Sequence, residues 1–260
     1  MGLAELFVDA NTASQRGSHP YMTAGPDPTP NGGSRPDPFH HEARQHDDEA
    51  VLVGGDDPIA VWRLDDRDDT GPAARGDRLA SRLAQRLILV YTQRGDTIVD
   101  FDSDAELEHA STRASRTYLS ITDPAAVTNL DMVTDPVSLV VLRWPSRHTR
   151  TPAAIADLFT ACRLIMTADT CAIAAVSSAA PGQPGTTFAE HLHELLPAAR
   201  AVGLTQVLQI VTVLGPGEGD QFLYYASQAE AVASRKKSSI DEGGYHPIEL
   251  LVFTGGQRHD

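Results

Sequence analysis

Short runs of β-branched and small apolar residues alternate with longer amphipathic segments through most of this chain. TIVDF (Thr97–Phe101), TYLSIT (Thr117–Thr122), SLVVL (Ser138–Leu142), TCAIAAVS (Thr170–Ser177) and VLQIVTV (Val207–Val213) are apolar almost throughout. A strand covered on both faces needs that character, because neither row of side chains meets water. Between them lie segments with helical spacing: Ala105–Ser115, Pro152–Thr167 and Phe188–Ala201. Strands alternating with helices predict an open, doubly wound α/β sheet, mostly parallel. A further helix is expected over LASRLAQRLILVY, where Leu79, Leu83, Leu87 and Val90 or Tyr91 recur on one face. Gly95 is suited to the left-handed stop that ends it.

The two ends of the chain break this rhythm. Residues 1–56 include GPDPTPNGGSRPDPFHHEARQHDDEA, which has almost no large apolar residues. Such a segment cannot bury enough surface to offset its ordering entropy, so a disordered acidic tail is expected, with the α/β domain over 57–260. His40, His41, His46, Asp47 and Asp48 within it read as solvated residues, not a metal site, since no rigid element fixes a ligand geometry. PIAVWRL follows, with Trp62 as an anchor. After Gly203, LTQVLQIVTVLG, PGEGD and QFLYYASQ read as a C-terminal antiparallel β-hairpin, joined by a connection too short for a crossover helix. A last strand is possible at Ile248–Phe253.

Charge and composition narrow the function. There are 21 basic and 35 acidic residues, for a net charge of −14. Non-specific DNA affinity comes from Lys and Arg neutralising phosphates, so the chain as a whole is poorly suited to bind DNA unaided. No apolar run approaches the roughly 20 residues that cross a bilayer. MGLAELFVDANTAS has no basic region ahead of an apolar stretch, so no secretory signal is expected. The two cysteines, Cys162 and Cys171, frame neither a disulfide scaffold nor a zinc site. A cytoplasmic protein is expected. There is no phosphate loop ending in GK and Ser or Thr, and Ser177-Ser178 lacks the glycines of a nucleophile elbow.

One stretch carries a more specific signal. Arg86-Leu87-Ile88 is followed by Gly95-Asp96-Thr97-Ile98-Val99-Asp100, and ASRTYLSITD ends on Asp123. This resembles the DNA amino-methyltransferases (N4/N6 type), in which a helix carrying "RLI" leads to "GD-x-V-L-D-P-F", a glycine loop, and then "GR-x-x-I-G-I-D". The likeness covers Leu79–Asp123; beyond that it is one of pattern. It implies a Rossmann-like methyltransferase sheet and S-adenosylmethionine (SAM) as cofactor. Asp100, Phe101 and Asp102 would then lie at the cofactor loop, with Asp123 holding the ribose hydroxyls. Asp123 also suits a helix N-cap ahead of Pro124, and the two roles are compatible.

Two departures shape the expected function. No glycine follows Asp100; Asp102, Asp104, Glu106 and Glu108 stand there instead. Carboxylates favour a helix N-terminus, yet they would repel the carboxylate of the cofactor and fill its space. The family's "D/N/S-P-P-Y/F/W" motif is replaced by Arg143-Trp144-Pro145-Ser146. Arg donates only, so Arg143 cannot accept from a base amino group. Trp144 and Pro145 are the remaining candidates for a catalytic position, Trp144 by stacking on a base. The chain thus reads as a catalytically degenerate relative acting as a regulatory or interaction protein, with DNA or a DNA-associated protein as partner. The alternative is an active, divergent SAM-dependent methyltransferase.

Overall fold

The computed structural model describes residues 58–65, 79–129, 136–145, 152–179, 184–215, 219–227, 229–234 and 248–255. The chain divides into Met1–Ala50 and Val51–Asp260. All described residues belong to the second unit. The acidic tail, its histidine cluster and the basic run Arg235-Lys236-Lys237 lie outside the described residues.

Among the described residues, eight strands form one sheet: β1 (Ile59–Asp65), β2 (Thr97–Asp100), β3 (Thr117–Ser120), β4 (Val137–Trp144), β5 (Cys171–Ser177), β6 (Leu204–Gly215), β7 (Gln221–Leu223) and β8 (Ile248–Gly255). The helices include α1 (Ser81–Tyr91), α2 (Ala105–Arg113), α3 (Pro152–Ile165) and α4 (Phe188–Ala201), with a 3-10 helix at Pro124–Asn129; residues 229–234 are helical as well. The spatial order is β3-β2-β4-β5-β8-β6-β1-β7. Strands β2, β4 and β5 are buried on both faces and pair in parallel, as expected, and the partly exposed edge strand β3 pairs in parallel with β2. Strand β8 lies antiparallel between β5 and β6.

The expected β-hairpin does not form. Strand β6 pairs with β8 on one side and with β1, in parallel, on the other. Strand β7 is antiparallel, but its partner is β1, through Val61↔Leu223, Trp62↔Phe222 and Arg63↔Gln221. The apolar segment around Trp62 is therefore a full sheet strand inserted between the two arms of the supposed hairpin. Ala60, Val61, Trp62 and Leu64 are each only 1 % exposed. Placed there, β1 gains a hydrogen-bonded neighbour on each flank and buries both its faces.

Two helical layers cover the sheet. On one face Val99, Val140, Leu142, Ala172, Ala174, Val176, Leu251 and Phe253 form a core with Ile155, Leu158, Phe159 and Cys162 of α3 and Leu192, Leu195 and Leu196 of α4. The small residues of β5 let the helices approach, and Phe159 meets Phe253 edge-on at 5.5 Å between centroids. The alternate residues Ile98, Leu139, Val141, Ile173, Leu250 and Val252 are equally buried and face the other way. Helix α1 packs against α2 and β1 through Leu83, Ala84, Leu87 and Ile88. It ends at Thr92, whose hydroxyl donates to the Ile88 carbonyl at 2.7 Å. Gly95, at φ +89°, takes up the left-handed turn three residues later, not the helix cap itself. Cys162 and Cys171 are buried free thiols. No described helix is long and apolar enough to cross a membrane.

Candidate functional site

The chain leaves β2 to form β3 on one side, then returns to place β4 on the other. In open α/β sheets such a switch in strand order leaves a crevice beyond the carboxyl ends, where ligands bind. Here it lies between the loop after β2 and the end of β4, so Asp100, the residues 101–104 and Arg143-Trp144 border it.

Asp100 ends β2 with no exposed surface. One carboxylate oxygen accepts from the Asp102 N–H at 2.9 Å. The other accepts from the Asp104 N–H at 2.6 Å and from the Tyr118 hydroxyl at 2.7 Å. Burial pushes the Asp100 carboxyl above its usual range, against the pull of these three donors. Burial, then the bond to Asp100, also raises the Tyr118 phenol.

Asp104 is the N-cap of α2. One oxygen accepts from Glu106 N–H at 2.9 Å and Leu107 N–H at 3.2 Å. The other accepts from Leu79 N–H at 2.7 Å and lies 3.6 Å from the Arg143 guanidinium. Between the two aspartates Ser103 has φ +55°, a left-handed value that glycine adopts without cost. Its hydroxyl meets that of Ser120 at the end of β3. Asp102 reaches across to β4, where its carboxylate accepts from the Arg143 backbone N–H at 2.6 Å.

The remaining candidates are placed differently. Phe101 is 3 % exposed and joins the core beneath α3 and α4, while its N–H donates to the Val141 carbonyl at 3.0 Å. Asp123 is exposed just beyond β3. Its carboxylate accepts from Ala125 N–H at 3.0 Å and its carbonyl from Ala126 N–H at 2.9 Å, so it starts the 3-10 helix. Trp144 is 5 % exposed. Its indole N–H donates to His191 Nδ1 at 3.0 Å, and the two rings meet edge-on at 89°. Pro145 follows through a cis peptide bond and is exposed.

His191 is the residue that sequence reasoning missed. Residues two apart on a helix point to different sides, so His191 and His193 do not pair to hold a metal. They do diverge: His193 is exposed, whereas His191 lies 4 % exposed on the apolar face with Leu192, Leu195 and Leu196. Its place four residues before Leu195 was the available signal. Because Nδ1 accepts, the ring proton sits on Nε2, and the ring also bonds to the Ser177 backbone. Burial holds its pKa below the ordinary value. Among the described residues, no three His, Cys, Asp or Glu side chains are grouped to hold a metal ion.

No protein-family model matches the chain, and no curated protein does. Similar solved structures include a TehB-like SAM-dependent methyltransferase from Corynebacterium glutamicum, at 16 % identity and a TM-score of 0.36, covering 66 % of this chain and 87 % of that one. Another is geranyl diphosphate C-methyltransferase from Streptomyces coelicolor A3(2), solved with Mg2+, geranyl diphosphate and S-adenosyl-L-homocysteine. It is 15 % identical with a TM-score of 0.37, over 68 % of this chain and 80 % of that one. TrmN from Thermus thermophilus is 12 % identical with a TM-score of 0.41, over 71 % of this chain and 51 % of that one.

Proposed function

We propose that this chain is a cytoplasmic methyltransferase-fold protein, related to the DNA amino-methyltransferases, that transfers no methyl group and works as a regulatory or interaction protein. The Leu79–Asp123 resemblance supports the relationship, and SAM is the cofactor that this resemblance implies. The observation that carries the reading is the state of Trp144. In the position where a base-stacking aromatic is implied, its ring is buried and its N–H is engaged by His191. The side chain of its neighbour Arg143 offers donors only, so it cannot take the place of the motif's side-chain acceptor for a base amino group. The net charge of −14 favours a basic, DNA-associated protein over DNA as partner.

A second reading rests on Asp123, whose exposed carboxylate beyond β3 could accept from a ribose diol in an active, divergent enzyme. Incubating the full chain with methyl-labelled SAM and DNA separates the two. Label retained only in SAM is the expected result. Label transferred to DNA above the background without protein would overturn the proposal and favour the second reading.

A further inference from the structure

We infer that the switch-point crevice is shut by a latch of the chain's own residues, with Asp102 and Asp104 of the β2–α2 connection gripping Arg143 of β4. The inference rests on taking this crevice as the ligand site of a methyltransferase-type fold, as proposed above.

A ligand at a switch point must part the loop after one strand from the end of its neighbour. In this chain those two elements are bonded to each other. The Asp102 carboxylate accepts from the Arg143 backbone N–H at 2.6 Å, and the Asp104 carboxylate lies 3.6 Å from the Arg143 guanidinium. The first bond is short and charge-assisted, the stronger kind of hydrogen bond. The ion pair is well shielded, with side-chain exposures of 12 % and 1 %.

Four of the backbone donors that would greet an anionic ligand are taken as well. The N-terminus of a helix offers N–H groups to phosphates and carboxylates. At α2 those of Glu106 and Leu107 are held by Asp104. Those of Asp102 and Asp104 are held by Asp100. An arriving amino-acid carboxylate would therefore meet carboxylates where it needs donors. In this arrangement the residues present do not fit SAM. They supply internally the contacts that a ligand would make, at the high effective concentration of an intramolecular partner.

The latch also predicts how to open the site. Asp102→Gly removes the carboxylate that spans the crevice. Asp102→Gly combined with Asp104→Ser also releases the Arg143 guanidinium, while Ser keeps an N-cap hydroxyl. Asp102→Asn, of equal size and still able to accept, should stay closed. Calorimetric titration of SAM into the full chain and the three variants tests this, with near-ultraviolet circular dichroism confirming that each is folded. The wild type and Asp102→Asn should give no saturable heat at SAM up to about 1 mM, and the opened variants should bind at least roughly tenfold more tightly. Micromolar binding by the wild type, or a folded Asp102→Gly chain that binds no better than the wild type, would overturn the latch. Wild-type binding without transfer of label would overturn the latch while leaving the proposed non-catalytic role intact.

Discussion

The Trp144 indole N–H donates to His191 Nδ1 at 3.0 Å, joining the end of β4 to the first turn of α4. A protonated imidazole carries hydrogen on both nitrogens and could not accept this bond. The folded chain therefore keeps His191 neutral, in accord with the lowering of its pKa, to which burial contributes most, against the nearby Glu194 and Glu190. Below its ordinary value of 6.5 the unfolded chain takes up a proton that the folded chain refuses. Stability is thus expected to fall as pH drops through that value, and to stop falling on this account once the folded pKa is passed. Urea midpoints at pH 7.5 and 5.5 check it. The His191→Gln chain should lose less stability between those two pH values than the wild type, and an equal loss in both would contradict the assignment.

Asp104 satisfies the N–H groups of Glu106, Leu107 and Leu79 and faces Arg143. Asp104→Ala removes an N-cap and strands a buried donor, for a combined cost of about 2–4 kcal/mol. Asp104→Ser should recover about 1 kcal/mol of that by keeping the cap. Chemical denaturation of the three chains measures the ladder.

Ser103 bears a side chain at φ +55° on a connection where glycine would be unstrained. Ser103→Gly relieves roughly 1 kcal/mol of strain, offset in part by the larger entropy of glycine in the unfolded chain. The variant should be as stable as the wild type or up to about 1 kcal/mol more so, as read by its melting temperature. A clear loss would mean that the Ser103–Ser120 hydroxyl contact matters more than the backbone.

Trp62 is 1 % exposed, and its ring meets Phe222 edge-on at 5.8 Å. The Arg86 guanidinium lies 3.7 Å above the Phe222 ring. Trp62→Ala should cost about 3–5 kcal/mol and loosen β7, whose one strand partner among the described residues is β1. Amide hydrogen exchange should show Phe222 and Leu223 losing protection before the central strands β4 and β5.

The parallel half of the sheet was legible because burial on both faces leaves a continuous apolar signature, as in CAIAAVS and SLVVL. Asp123 at a helix start was legible from Asp-Pro. The position of β1 was not, because a seven-residue apolar run carries no record of which strand it will join. Local turn chemistry at PGEGD favoured a hairpin, and a long-range pairing displaced it. At the crevice the carboxylates of residues 102 and 104 could be counted in the sequence. Their bonds to Arg143 could not, since residues some 40 positions apart meet only once the sheet has formed. The same holds for Trp144 and His191, whose partnership depends on α4 lying over β4.

Strand β1 imposes an order on biosynthesis. Ile59 must wait for Gln209, some 150 residues further along, before its backbone groups find a neighbour. At translation rates of about 5–20 residues per second that is a delay of roughly 8–30 s. Throughout it, the nascent chain carries a greasy, unclaimed ribbon outside the ribosome. Whatever shields that ribbon during those seconds governs the yield of finished molecules as much as the strength of the completed sheet does.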